Sequence, residues 1–476
     1  MPLQIHLVVL LFSLVFVAAV VSGSSLRRDA FFLFVLAQAV VYCFLAPACV
    51  VFDTGLAGSG LGDWYLYAEL LCLLVFLPVF VLTHSSVRAW AGKRWAGRAL
   101  VVNESTLPFF AVISGVGTFV YVFTLLQYDL LFRRIGHQAL AAEYLHLPGS
   151  AYLIIRTFDR LLLSLVMVSY IAFHFAKTRS NKRLTGSVLA ITLCGQLLVV
   201  CLNSRFALVV TFALLSAVYM LCESVSQSPR SGKASLRLAL AGLAACAGIA
   251  FTVKFRDHWQ GTIGETLAAV VSGSGETDGE LTGGLLKSAS RLDGIDLIAR
   301  MGPAIAADGA SWGRSWYPSV LATVGYLWDA EGAKAIKASL ATTPKYYLMY
   351  EYAGINQPDY QSCILTDAYG NFRSAGFAIA AIVLATSTAI VSVLLVSPGG
   401  RLGFVVAVAG LQVASSFESA LLSHMVFDWL RHVPSMVVLY LICPLRTVDV
   451  RGQTSARLPL KTLASRPLRR RAFAAG

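Results

Sequence analysis

The residues able to do chemistry fall in a few places. Arg205 stands in the turn Asn203-Ser204-Arg205 between two apolar runs, where an arginine beside hydrocarbon either binds an anion or snorkels to water. Arg291, Asp293, Asp296 and Arg300 follow on a stretch whose Leu292, Ile295 and Ile298 mark an amphipathic helix; Asp296 and Arg300 are four apart and can pair, while Arg291 has no such partner. His258, beside Asp257 and Trp259, is either an interfacial anchor or a base, since a free imidazole titrates near pH ~6.5. Asp367 can take a hydroxyl proton and Tyr369 can orient a sugar ring, or the two simply cap and anchor a helix. Cations with one or two bases suit group transfer from a phosphorylated donor: Arg neutralises a departing diphosphate bidentately, and a base deprotonates the acceptor hydroxyl.

Two further groups are positional. Arg156, Asp159 and Arg160 lie on successive helical turns and either pair or line a polar cleft, because exposing them to lipid is costly. His424, Asp428 and His432 are spaced as a metal site would be, with Glu418 nearby, but Pro434 follows closely and no fourth ligand is evident, so a cleft-lining helix face is expected and no metal. No Walker loop, HExxH or GxSxG occurs, which argues against an ATPase, a zincin protease and a serine hydrolase of the common kinds. Eight of the nine cysteines sit in or at the ends of apolar runs; Cys363 is the exception, and no CxxC spacing appears.

The elements that must position these residues are apolar. With 57% hydrophobic and 13% charged residues and a mean hydropathy of +0.70, the 476-residue chain reads as a polytopic membrane protein. The expectation is an all-α integral membrane protein of about eleven transmembrane helices, at 3–23, 30–52, 65–83, 107–126, 152–176, 184–202, 206–222, 236–253, 375–396, 402–422 and 433–445, with one large, mainly helical extracytoplasmic loop. That divides the chain into a membrane domain 1–253, a loop domain 254–374, a second membrane domain 375–445 and a basic cytoplasmic tail 446–476. Residues 1–23 lack a basic leading region and read as a first span, although Ser22 to Ser25 would permit cleavage. Lys and Arg gather in alternate loops and in the tail, which places the N-terminus outside and the C-terminus in the cytoplasm. The net charge of +13 therefore reflects membrane orientation rather than nucleic-acid binding. The polar stretch Lys254 to Ser374 then faces away from cytoplasmic nucleotides, so an enzyme there needs a pre-activated substrate such as a lipid-linked one.

Two runs carry a resemblance. Leu202-Asn203-Ser204-Arg205-Phe206-Ala207-Leu208, at a turn ahead of the large loop, resembles the Ser-Arg signature of the O-antigen polymerase and ligase superfamily. Asp367-Ala368-Tyr369-Gly370-Asn371-Phe372-Arg373-Ser374-Ala375-Gly376 resembles the acidic-x-Tyr-x-Asn-Phe-Gly-x-x-Gly run of bacterial polysaccharide repeat-unit polymerases, and Ser290 to Arg300 resembles, more loosely, an Arg-containing helix of that loop. In two respects the chain departs from the family: Arg373 stands where the run has Gly, and the Pro-Arg and Lys-Pro of the loop's middle are absent from Val324 to Lys337.

The resemblance implies a metal-independent glycosyltransferase without cofactor in a bacterial inner membrane, joining polyprenyl-diphosphate-linked oligosaccharide repeat units as donor and acceptor with inversion at the anomeric carbon. Arg205, Arg291 and Arg300 would bind diphosphate; Asp367, His258 and Tyr369 would be catalytic; Arg156, Arg160, Asp293, Asn371, Arg373 and His424 would line the cleft. A chain-length regulator and a flippase are the implied partners besides membrane lipid. The alternatives are ligase-type transfer of the finished glycan to a lipid or protein acceptor and, from another class, a transporter or flippase of lipid-linked oligosaccharide.

Overall fold

The computed structural model describes residues 3–23, 26, 29–56, 59–95, 98–128, 130, 147–177, 183–203, 292–325, 328–332, 335, 344–355, 362–396, 400–414, 417 and 420–449. Helix α1 (Leu3–Gly23) presents Leu7, Leu11, Phe12 and Val15 outward, as a lipid-facing helix does, while its His6 turns inward. Asp29 caps α2 (Ala30–Val40) by accepting from the Phe32 N–H at 3.0 Å. A π turn, Val41–Leu45, joins α2 to α3 (Ala46–Thr54), which stops at left-handed Gly55, φ 64°. Ser59 caps α4 (Gly60–Leu71), and a second π turn, Cys72–Phe76, carries it into α5 (Leu77–Trp95). The expected span 65–83 is thus the middle of a longer helical rod.

Strand β1 (Arg98–Val102) precedes α6 (Leu107–Gln127), α7 (Gly149–Lys177) and α8 (Arg183–Asn203). These three helices pack through a buried polar seam. Gln196 donates to Ser114 and Thr118 at 3.2 and 3.1 Å, and Ser114 and Ser169 share a 3.3 Å bond. Hydroxyl and amide contacts of this kind hold helices together where lipid removes the hydrophobic drive. Next come α9 (Asp296–Asp308), α10 (Tyr317–Val324), α11 (Pro344–Ala353), α12 (Ile364–Phe372) and the long α13 (Ala375–Val396). Helix α14 (Arg401–Ala414), a third π turn Ser423–Phe427, α15 (Asp428–Ile442) and strand β2 (Leu445–Asp449) complete the order.

Among the described residues seven helices are long and apolar enough to cross a membrane. The expected spans 206–222 and 236–253 lie outside the described residues. Helix α7 covers the expected 152–176 over 29 residues and also carries Arg156, Asp159 and Arg160. Two expectations change at the C-terminal end. Helix α14 ends at Ala414 instead of reaching 422, and residues 423–432, expected as an outer segment with its histidines on a helix face, are the π turn and first turns of a crossing helix, His424–Ile442. His432, Ser435 and Leu439 are buried there, so the polar residues that looked like loop composition serve the bundle interior.

The described residues are otherwise helical, but not wholly α: β1 and β2 pair antiparallel from Arg98 opposite Asp449 to Val102 opposite Leu445, and the Asn103 N–H donates to the Pro444 carbonyl at 2.7 Å. The ladder joins the ends of α5 and α15. Nearby, buried Asp29 also accepts from Ser392 at 3.0 Å and faces Arg88 at 3.5 Å and His84 at 3.6 Å, tying α2, α5 and α13 together at that same end. Helices α9, α11 and α12 gather at the opposite end, with α9 lying on α4.

Candidate functional site

Helix α9 is seated by one buried face: Leu297, Ile298, Ala299, Met301, Gly302 and Ile305. Gly302 lies so close to the Trp64 ring that a β-carbon would overlap it, and the helix therefore sits flush on α4. Its first turn is capped by Asp293, whose Oδ1 accepts from the Ile295 and Asp296 N–H groups, both at 3.0 Å. Gly294 is clamped in turn: its N–H donates to the Tyr42 carbonyl at 2.9 Å, and its own carbonyl accepts from the Cys363 thiol at 3.0 Å.

Tyr65, from α4, places its hydroxyl between two carboxyls, 2.9 Å from Asp293 Oδ2 and 2.5 Å from Asp296 Oδ1. A phenol has one proton, so it can donate to only one of them. Asp293 is 1% exposed, and burial, reinforced by Asp296, pushes its carboxyl up to about 8. Burial thus favours the protonated form of Asp293, which can donate to the phenol oxygen and leave the phenol proton to Asp296. Arg300 Nε donates to both Asp296 oxygens, at 3.1 and 3.0 Å, from an exposed position. The result is a line from a stored proton through a phenol to a half-buried carboxylate beside a cation.

The Asp367 to Gly376 run forms the corner between α12 and α13. Asn371, 0% exposed, accepts through Oδ1 from the Ser311 hydroxyl (2.7 Å), the Gly313 N–H (2.8 Å) and the Ser315 hydroxyl (3.0 Å). Its Nδ2 reaches Ser315 Oγ at 2.8 Å and the Asp367 carbonyl and Oδ1 at 2.8 and 2.7 Å. Asp367 Oδ1 also accepts from Trp316 Nε1 at 2.8 Å, and its Oδ2 from the Leu422 N–H at 3.2 Å. Burial pushes this carboxyl up to about 6, with those donors acting against the rise. Gly376 crosses the α12 backbone at Ala368 with no room for a β-carbon. Arg373 adopts φ 54° and ψ −142°, a region suited to glycine, and its Nη2 donates to the Ile305 carbonyl at 3.1 Å near the end of α9. The departure from the run it resembles thus falls at the one residue of the corner whose backbone favours glycine.

Arg373→Gly and Arg373→Ala both lose the bond to the Ile305 carbonyl, but only Gly releases the backbone strain, so Arg373→Gly is expected to be about 1–3 kcal/mol more stable than Arg373→Ala, which lies below the wild type. Denaturant unfolding in mixed micelles distinguishes the two.

The expected site residues divide accordingly. Arg205, Arg291 and His258 lie outside the described residues, as does the Arg156 side chain within α7. Asp293 and Arg300 are brought together with Asp296. Asp367, 2% exposed, is an internal brace with no face toward a substrate, and Asn371 is a buried hub rather than a cleft wall. Tyr369 is buried against Phe377, and burial beside Tyr67 pushes its hydroxyl up to about 12. His424 is wholly buried in the π turn, not on an open cleft, and neither ring nitrogen has a hydrogen-bond partner among the described residues. Asp159 accepts from Tyr121, and Arg160 donates to the Arg431 carbonyl at 3.1 Å, linking α7 to α6 and α15. Among the described residues no three His, Cys, Asp or Glu side chains converge to hold a metal.

Tyr65 was missed in the sequence because a tyrosine near a span end reads as an interfacial anchor; its only signal is a helical face shared with Glu69, itself buried and 2.8 Å from His6. A scan against protein-family models, a search of curated proteins and a search of solved structures returned no match for this chain.

Proposed function

We propose that this chain is a membrane glycosyltransferase that extends a glycan carried on polyprenyl diphosphate, working at the bilayer face opposite the cytoplasm. The observation that carries the reading is the gathering of an acid, a phenol, a carboxylate and an arginine at the N-terminal end of α9, with Tyr65 supplied by α4, clamped through Gly294 to Cys363 at the start of α12, the helix that carries most of the run resembling repeat-unit polymerases. Asp296 is the carboxylate suited to take the acceptor hydroxyl's proton, with Tyr65 and protonated Asp293 holding it in place. The acceptor oxygen bonds to the anomeric carbon as the carbon–oxygen bond to diphosphate breaks, with inversion. Charge then grows on the departing diphosphate, where Arg300 is exposed and where Arg205 and Arg291 are assigned by resemblance.

The test uses purified protein in lipid nanodiscs with a polyprenyl-diphosphate-linked repeat unit and a chelator. A ladder of lengthened chains is expected, with Asp296→Asn slowing it by roughly 10²–10⁴-fold while the protein stays folded. Deletion of the protein is expected to leave glycans of one repeat unit; normal long chains would overturn the reading, and single units trapped on the cytoplasmic leaflet would point to a flippase.

A further inference from the structure

The C-terminal end of α9 carries a surface that the reaction at its N-terminal end does not use. Trp312 is 73% exposed and has φ 49°, a left-handed conformation that costs a bulky side chain energy. The surrounding turn enforces it. Gly309 and Gly313 supply φ 94° and 89°, the Ser311 N–H donates to the Gly370 carbonyl at 2.8 Å, and Asn371 gathers Ser311, Gly313 and Ser315 from beneath. Phe372 props the Trp312 ring edge-on at 6.2 Å and touches Trp316 at 5.5 Å on the same side.

The same turn and helix end carry charged groups. Arg373 reaches the end of α9 beside Gly309, while Arg314 and Asp308 are exposed on the turn and the helix end. Helix α11 packs against both α9 and the Arg314–Trp316 turn, bringing Tyr347, Glu351 and Tyr352 alongside; Asp308, Arg314 and Glu351 are close enough to Tyr352 to act on its hydroxyl. An interfacial anchor needs only an aromatic ring at the right depth, and any unstrained helical position would supply one. A strained, internally braced ring on a turn that also carries both signs of charge is instead built to meet a ligand with a flat apolar face and a hydroxyl rim.

We infer that Trp312 is the stacking platform of a second subsite, one that holds a sugar ring of the oligosaccharide while Asp308, Arg314, Glu351 and Arg373 hydrogen-bond its hydroxyls. This rests on the glycan-extending reading above. The 13 residues of α9 carry the chain about 18 Å from Asp296 to Asp308, ahead of the Trp312 turn, so the two ends engage different sugars of one chain.

The probe is an array of lipid-free, diphosphate-free bacterial surface oligosaccharides, incubated with the full chain in labelled nanodiscs. The wild type is expected to bind a subset, Trp312→Phe to keep most of that binding, and Trp312→Ala to lose it by 10-fold or more. Trp312→Asn, whose side chain tolerates the left-handed region, is expected to unfold at a higher temperature than the wild type while also losing binding. No array binding by the wild type, equal binding by Trp312→Ala, a lower unfolding temperature for Trp312→Asn, or a Trp312→Ala defect confined to protein–lipid association would each overturn the inference. Array binding without chain extension in the nanodisc assay would uphold the subsite and defeat the polymerising reading alone.

Discussion

Asn371→Ala is expected to lose at least about 4 kcal/mol of stability, enough to leave little folded protein in mild detergent. The substitution removes three acceptor contacts and three donor contacts at a residue with no solvent exposure. The Gly313 N–H and the Ser311 and Ser315 hydroxyls then face a cavity, and an unpaired buried donor costs about 1–3 kcal/mol. Trp316 keeps its bond to Asp367, but the turn that positions it loosens. Thermal unfolding followed by tryptophan fluorescence checks the loss; a change below about 1 kcal/mol would mean that the corner is held elsewhere.

The same chemical substitution at two aspartates is expected to give opposite results. Asn at 293 reproduces the protonated carboxyl: its oxygen accepts from the Ile295 and Asp296 N–H groups, and its amide donates to the Tyr65 oxygen. Asn at 367 does not fit, because Trp316, Asn371 and the Leu422 N–H all point donors at that carboxyl and one amide hydrogen must meet a donor. Asp367→Asn should therefore destabilise by about 1–3 kcal/mol, and Asp293→Asn should not.

The pH dependence separates them further. Asp293 titrates near 8 when folded, against about 3.9 when unfolded, so the folded state holds the extra proton between those values and stability falls as pH rises through them. Asp367 acts in the same direction, but only up to about 6. From pH 6 to 8 the wild type should lose stability at about 1.4 kcal/mol per pH unit on account of Asp293, and Asp293→Asn should remove that slope. Unfolding at a series of pH values measures it; an unchanged slope in the variant would assign the proton elsewhere.

Much of the helical order was legible because apolar runs of spanning length announce themselves. What escaped was set by partners distant in sequence. The segment 423–432, whose histidines were expected on a cleft-lining helix face outside the membrane, is part of a crossing helix, since the burial that makes those histidines tolerable comes from packing, which composition does not record. Asn371 was expected to line the cleft, and its role as a hub was hidden because the three residues it gathers lie roughly 60 positions earlier. Arg373 is the converse case: its mismatch with the family's Gly was visible, but only the backbone angle gives the mismatch a physical meaning. Asp293 and Arg300 were picked out, whereas the phenol between the two carboxyls comes from 228 residues away.

The β1–β2 ladder bears on motion. Because it laces the foot of α5 to the foot of α15, and Asp29 binds α2, α5 and α13 at that same end, these helices cannot separate there without breaking main-chain hydrogen bonds and ion pairs. Any splaying must pivot about this clasp, like a pair of tongs joined at the handle, and the widest displacement then falls at the far tips, where α9 and α12 sit.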